Sequence, residues 1–192
     1  DQHGNQNLQT SACFGAEIYE NNIDLSGNTW TTMFYDQRGG KSLVFNNKLI
    51  WSSGGGAQTR IREEHQDSEG PGPALNAVTG QPQHISETYY WNNTKNGEEM
   101  VPSLVNELGE RCDICGTMVP SENVHVWLKK ESFNGTAGMG VGSLAERPLS
   151  CSAEGVGYWA TDTQTLYRWS SAKGWQEYYK PYPYPHPLRN IQ

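Results

Sequence analysis

Ile18-Tyr19-Glu20-Asn21-Asn22-Ile23 is the stretch that decides the fold, because its pattern, an apolar β-prone run entering an Asn-Asn pair, returns twice. The two copies are Val44-Phe45-Asn46-Asn47-Lys48-Leu49 and Tyr90-Trp91-Asn92-Asn93-Thr94. Counted on the first asparagine of each pair, the intervals are 25 residues and then 46, which is about two intervals of 23. A period in the low twenties is typical of a solenoid, in which each repeat is one supersecondary unit.

Asparagine suits the turn between two strands of such a coil, because it tolerates left-handed backbone and bonds to nearby backbone groups. In stacked coils the asparagine amides would lie above one another and form a hydrogen-bonded ladder. The alternative is a β-sandwich, whose strands recur every 8 to 12 residues or so with hairpin signals between them. Asn-Gly and Asp-Gly pairs are missing where a sandwich would need them, so the sequence favours an all-β solenoid.

Composition narrows the class of protein further. The 192 residues are 35% hydrophobic and contain 7 Trp and 10 Tyr, which is too aromatic for a disordered chain. No apolar run approaches the roughly 20 residues of a membrane span. The net charge of -7 argues against nucleic acid as a partner, because such binding rests on neutralised phosphates.

The four cysteines are Cys13, Cys112, Cys115 and Cys151. An even number in a chain of this composition predicts an oxidising compartment and two structural disulfides, although three pairings remain open. A zinc site is less favoured because only one close cysteine pair exists, and a thioredoxin-like role lacks a βαβ pattern. The sequence predicts neither a metal nor a cofactor.

The densest polar segment, residues 60–67, contains the candidates for catalysis. On a strand, Arg60, Arg62 and Glu64 would share one face. A polysaccharide lyase would use Arg60 or Arg62 to neutralise a uronate carboxylate and His65 or another group as the base. The simpler interpretation is a solvated face with internal ion pairs.

A glycoside hydrolase would instead need two carboxylates about 5–10 Å apart, for instance Glu63 or Glu64 with Asp67. The Arg-Ile-Arg run of this segment is similar to the Arg-Ile-Lys of pectin-type hydrolases. Their paired aspartates and their Gly-His-Gly element are absent from the sequence, so that function is not inferred.

Two regions follow from these patterns. Residues 1–146 are predicted to form the coils, with loop excursions at 66–82 and 95–122, and the second excursion includes one or two helical turns at 102–109. Residues 147–192 are predicted to form an aromatic meander and a proline-rich cap, since extended proline segments block the pairing of a last coil.

The predicted cap has a characteristic sequence. Three aromatic strands, Gly157-Tyr158-Trp159-Ala160-Thr161-Asp162, Leu166-Tyr167-Arg168-Trp169 and Gly174-Trp175-Gln176-Glu177-Tyr178-Tyr179, precede Pro181-Tyr182-Pro183-Tyr184-Pro185-His186-Pro187-Leu188-Arg189. This region, about residues 147–189, resembles the C-terminus of bacterial secreted right-handed parallel β-helix repeat proteins. The resemblance implies a right-handed parallel β-helix. It leaves the activity open, because that fold includes lyases, hydrolases, phage spikes and adhesins.

Four aromatic residues of this region are candidates for stacking on sugar rings, whose C–H faces suit π systems: Trp159, Trp169, Trp175 and Tyr178. Packing in the cap core is the alternative for each of them. We therefore expect a secreted, extracellular or cell-surface structural or binding protein, with a polysaccharide as ligand or with self-assembly. The alternative is a polysaccharide lyase or glycoside hydrolase of β-helix type. Since the chain begins at Asp1, we also expect a preceding chain or a second copy to cover the first coil near residues 16–23.

Overall fold

The fold is all-β, as the sequence predicts. The computed structural model describes residues 15–27, 32–37, 39–51, 57–62, 84–105 and 119–182. Within these residues every regular element is a strand, apart from one 3-10 turn at Leu144–Glu146. The chain divides into two compact units, residues 1–128 and residues 129–192. This division falls earlier than the predicted boundary between residues 146 and 147.

The first unit contains three sheets. Its strands are β1 (Gly15–Tyr19), β2 (Asn22–Leu25), β3 (Thr32–Gln37), β4 (Lys41–Phe45), β5 (Lys48–Trp51), β6 (Ala57–Arg62), β7 (Thr88–Trp91), β8 (Thr94–Lys95), β9 (Glu98–Glu99), β10 (Ser103–Val105) and β11 (Val126–Leu128). The sheet orders are β1-β4-β7-β11, β2-β5-β8-β9 and β3-β6-β10. Every pairing is parallel except that of β8 with β9. One strand from each sheet makes up a repeat, and successive repeats stack strand on strand.

The stacking register matches the apolar runs of the sequence pattern. Ile18 pairs with Val44, and Val44 pairs with Tyr90. Val44 and Tyr90 belong to a buried cluster that also contains Tyr35 and Ile61 from the third sheet. Ile18 is partly buried and packs against this cluster. The interior between the sheets is therefore filled by the same position of each repeat.

The opposite face of the first sheet carries a stack of aromatic rings, because neighbouring residues of a strand point to opposite sides. The Tyr19 and Phe45 ring centroids are 4.9 Å apart at 5°, and those of Phe45 and Trp91 are 4.3 Å apart at 1°. Tyr89 and Trp127 stack similarly at 5.1 Å. Large apolar side chains thus lie on both faces of this sheet.

The asparagine ladder is present, and it uses the first asparagine of the first pair but the second asparagine of the two later pairs. Asn21, Asn47 and Asn93 stack: Asn21 Nδ2 donates to Asn47 Oδ1 at 2.8 Å, and Asn47 Nδ2 donates to Asn93 Oδ1 at 2.7 Å. The last two side chains are fully buried. The residue before each of them has positive φ, namely 55° at Glu20, 55° at Asn46 and 52° at Asn92.

Glu20 is the residue least suited to that turn, since asparagine tolerates left-handed backbone and glutamate is penalised by about 1 kcal/mol or more. We expect Glu20→Asn to raise the free energy of unfolding by about 0.5–1 kcal/mol. Urea denaturation of both chains at the same pH measures the change. A loss of stability would contradict this account of the turn, and Glu17→Gln, on the adjoining strand with ordinary backbone, is the control.

A β-hairpin occurs within the predicted loop excursion 95–122. β8 and β9 are antiparallel, and Asn96 and Gly97 connect them with φ of 52° and 86°. Positive φ at both central residues is the type I′ turn that Asn-Gly favours. Asn96 also binds the backbone of Trp51, since its Oδ1 accepts from the Trp51 N–H at 2.7 Å and its Nδ2 donates to the Trp51 carbonyl at 2.9 Å. This Asn-Gly turn was not among the features predicted from the sequence.

The prediction of helical turns at residues 102–109 is wrong at residues 102–105, the part of this range that the structure describes. Ser103–Val105 is strand β10, in which Leu104 pairs with Ile61 and packs against the core cluster. Tertiary burial of Leu104 therefore decides the conformation, and the local proline signal does not.

The second unit contains one sheet of strands β12 (Met139–Gly142), β13 (Gly157–Ala160), β14 (Thr165–Ser170) and β15 (Gly174–Tyr179), in that order. β13, β14 and β15 are antiparallel neighbours, so the described part of the predicted aromatic meander is present. β12 pairs with β13 in parallel and was not predicted. The proline-rich tail beyond Tyr182 lies outside the described residues.

Among the residues that the structure describes, no helix has the length and apolar character needed to cross a membrane.

Candidate functional site

Arg60 and Arg62, two of the candidates for catalysis, lie on β6 and bind a single carboxylate, Asp36 on β3. Arg62 Nε and Nη2 donate to Asp36 Oδ1 and Oδ2 at 3.0 and 2.8 Å, and Arg60 Nη2 donates to Asp36 Oδ2 at 3.0 Å. Asp36 and Arg62 are both buried. The predicted shared face of the two arginines is thus occupied by an ion pair between repeats.

The charge state of Asp36 follows from two opposing effects. Burial is the largest influence and favours the neutral acid, but the hydrogen bonds and charges of Arg62 and Arg60 together hold the pKa of Asp36 below its usual value. The carboxylate is therefore ionised at neutral pH and binds both guanidinium groups. A uronate would have to displace it in order to reach Arg62.

The remaining candidates of this segment, Glu63, Glu64, His65 and Asp67, lie outside the described residues. The described residues therefore do not assemble the lyase or hydrolase set, and its geometry remains a prediction.

Beside the ion pair, a buried polar network links three repeats. Tyr35 Oη donates to Ser42 and also contacts Gln37 Oε1 at 3.1 Å. Gln37 Nε2 donates to Thr88 Oγ1 at 2.8 Å and to the Gly40 carbonyl at 2.9 Å. Because these groups satisfy one another away from water, the network stabilises the stack and is not arranged for proton transfer to a ligand.

In the second unit, Trp169 and Trp175 form a cross-strand pair. Their Cα atoms are register partners on β14 and β15, and their ring centroids are 5.5 Å apart at 73°, an edge-to-face contact. Both side chains are half-buried. We call these two residues the tryptophan pair.

Arg147 fixes one side of the tryptophan pair. Its guanidinium lies 5.2 Å from the ring centroid of Trp175 and 4.2 Å from that of Tyr167. The Trp175 indole Nε1 donates to the Pro148 carbonyl at 2.7 Å. These contacts hold the Trp175 ring in one orientation while part of it stays accessible. Arg147 was not among the residues predicted from the sequence, because its position before Pro148 gives no local signal of the contact.

The other two aromatic candidates differ from the pair. Trp159 is 1% exposed, so the structure does not support it as a stacking residue and places it in the packed core of the unit. Tyr178 is half-buried, and the Arg168 guanidinium lies 5.8 Å from its ring centroid. Of the four predicted stacking residues, three are half-buried and one is buried.

Cys151 is the single cysteine within the described residues, and its thiol is free. Burial, opposed by the nearby charge of Arg147, raises the pKa of this thiol to about 11, so it is protonated and unreactive at neutral pH. Two disulfides were predicted from the four cysteines, and the free thiol of Cys151 leaves at most one. Cys13, Cys112 and Cys115 lie outside the described residues, so a disulfide between two of them stays a prediction.

Across the described ranges, no group of three or more His, Cys, Asp or Glu side chains is arranged to hold a metal ion. Comparison of the chain with protein-family models, curated proteins and solved structures gives no match.

Proposed function

We propose that this chain is a secreted, non-catalytic binding protein of the right-handed parallel β-helix type, and that it holds a polysaccharide through the tryptophan pair. The observation that carries the proposal is the pair itself: two half-buried indoles, fixed edge to face on neighbouring strands of a sheet. Secretion is part of the proposal, and its support is the sequence, whose even number of cysteines suits an oxidising compartment.

The parallel sheets of the first unit support the β-helix assignment. Each strand pairs with the corresponding strand of the next repeat in all three sheets. A connection between parallel strands of one sheet is right-handed in nearly all proteins, because the strand twist favours that hand. Three sheets joined in this order are therefore expected to wind as a right-handed helix.

The setting of the tryptophan pair supports a sugar ligand. Sugar rings present C–H faces that stack on indoles, and a preorganised ring loses little conformational freedom on binding. Exposed polar side chains are also present on the same hairpin, at Lys173 in the turn and at Glu177, two residues after Trp175. They could hydrogen-bond the hydroxyls at the ring edge.

A non-catalytic role is supported by the ion pair at Asp36. The guanidinium of Arg62 is buried and bound by Asp36 through two hydrogen bonds, which removes it from the groups that a lyase would place on a uronate.

Affinity measurements on a panel of neutral and acidic polysaccharides test the proposal. We expect Trp169→Ala to weaken binding about tenfold, since the loss of one stacked ring costs roughly 1.4 kcal/mol. Tyr182→Ala, at an aromatic residue 66% exposed, is the matched control and should leave affinity unchanged. Equal affinity of the Trp169 variant and the parent chain for every glycan would overturn the assignment. Cleavage products in the same incubations would favour a lyase or hydrolase instead.

A further inference from the structure

A groove of about 410 Å³ crosses the outer side of the stacked turns in the first unit. Its lining residues are Glu20, Asn22, Asn46, Lys48, Asn92 and Thr94. We call it the turn groove. Its volume lies within the range of small-ligand sites in proteins.

Each of three repeats contributes two residues to the turn groove. One is the turn residue with positive φ, namely Glu20, Asn46 or Asn92, and the other lies two positions later. Since paired strands are about 4.8 Å apart, three repeats give a straight row of side chains about 10 Å long. Such a row fits an extended chain better than it fits a compact molecule.

The chemistry of the turn groove is that of a site for hydroxyl groups. Asn92 Nδ2 donates to Asn46 Oδ1 at 3.3 Å, which leaves further donors and acceptors on both amides. Within the described part of the chain, the side chains of Asn22, Lys48 and Thr94 have no partner in the protein. The residues that line the groove thus carry amide, hydroxyl, ammonium and carboxylate groups, and adjacent sugar hydroxyls can both donate to and accept from such a set.

Glu20 adds an observation of a different kind. It occupies left-handed backbone where the other two repeats have asparagine, and glutamate is strained there. A strained residue is retained where the surrounding structure or a function requires it. At this position Glu20 is one of the residues that line the groove.

We propose that the turn groove is a second glycan site, which binds a neutral, extended oligosaccharide along the stack of repeats. Glu20 and Lys48 carry opposite charges, so the groove has no net charge from its lining residues. For a polyuronate, repulsion by Glu20 would offset attraction by Lys48, whereas a neutral chain could hydrogen-bond to both of them and to the amide and hydroxyl groups. The site is separate from the tryptophan pair, which lies in the other unit.

Nuclear magnetic resonance of the ¹⁵N-labelled full chain distinguishes the two sites. The reporters are the side-chain amides of Asn46 and Asn92 for the turn groove and the indole N–H of Trp169 for the tryptophan pair. Cellohexaose, maltohexaose and tetragalacturonate are titrated separately. We expect cellohexaose to move both asparagine signals in a saturable way, and tetragalacturonate to move neither.

Variants at the turn positions test the assignment without disturbing the backbone, because glycine accepts positive φ. We expect Asn46→Gly combined with Lys48→Ala to weaken cellohexaose binding at the asparagine reporter of Asn92 by about tenfold or more. Lys180→Ala, at an exposed lysine of the second unit, is the matched control and should change nothing.

The outcomes separate this inference from the proposed function. Movement of the Trp169 signal alone overturns the turn groove as a site and supports the tryptophan pair. Movement of the asparagine signals alone supports the groove and counts against the pair as a cellohexaose site. Binding of tetragalacturonate alone at the groove overturns its assignment to neutral glycans, and no movement at any reporter with all three sugars overturns the groove.

Discussion

Replacing Asn47 with alanine is expected to lower the free energy of unfolding by about 3–5 kcal/mol, a large part of the stability of a typical domain. The Asn47 amide is fully buried at the centre of the ladder. Its Nδ2 donates to Asn93 and to the carbonyls of Ile18 and Phe45, and its Oδ1 accepts from the backbone and side chain of Asn21. Several buried groups would lose a partner at once, and each such group costs about 1–3 kcal/mol.

Urea denaturation followed by circular dichroism measures the Asn47→Ala effect. Asn22→Ala is the matched control, because Asn22 is exposed, and its side chain should be worth less than about 0.5 kcal/mol. A loss of under about 1 kcal/mol in the Asn47 variant would show that the ladder is not a main source of stability.

Replacing Asp36 with asparagine is expected to cost a similar amount, about 3–5 kcal/mol, because it leaves the buried guanidinium of Arg62 without a counter-charge. The matched control is the ion pair of Lys41 with Glu87, whose side chains are 34% and 20% exposed. Glu87→Gln should cost about 1 kcal/mol or less, since partly exposed pairs are screened by solvent. Equal losses in the two variants would contradict a special role for burial.

The pH dependence of stability gives a second test of Asp36. Its pKa is lower in the folded chain than in the unfolded one, so the unfolded chain binds the proton more readily. Its stabilising contribution is therefore fully present above the unfolded pKa of about 3.9 and is lost as the pH falls through the lower folded value. In that acid range, the free energy of unfolding measured by denaturation should fall more steeply with decreasing pH for the parent chain than for Asp36→Asn.

The repeat could be predicted from the sequence because its signal is local. Its spacing was predicted wrongly, since the 46-residue interval is one repeat and not two: β4 pairs directly with β7. Each apolar run enters an asparagine pair, and both features are visible in a few residues. The register could not be predicted, because adjacent asparagines do not reveal which one points inward. In the structure the turn positions are Glu20, Asn46 and Asn92, which have positive φ. The ladder residue follows each turn position, so in the two later pairs it is the second asparagine, Asn47 or Asn93.

The polar contacts were beyond prediction because they join residues distant in sequence. Asp36 lies 26 residues from Arg62, and no local pattern links them. Trp159 illustrates the converse, because the sequence gives the aromatic residues of the meander but not their exposure. Burial of Trp159 and half-burial of Trp169 depend on which face of the sheet is covered, and alternation alone leaves that open.

The spacing of the asparagine ladder bears on how such a chain can change in evolution. Asn21 and Asn47 are 26 residues apart and Asn47 and Asn93 are 46 apart, yet the hydrogen bonds between neighbours are nearly the same, at 2.8 and 2.7 Å. A repeat is thus defined by which residues form hydrogen bonds with the neighbouring repeat, and not by the number of residues between them. Segments inserted or deleted between β6 and β7 would leave the ladder contacts intact, so new loops could be acquired there while the stack is inherited unchanged.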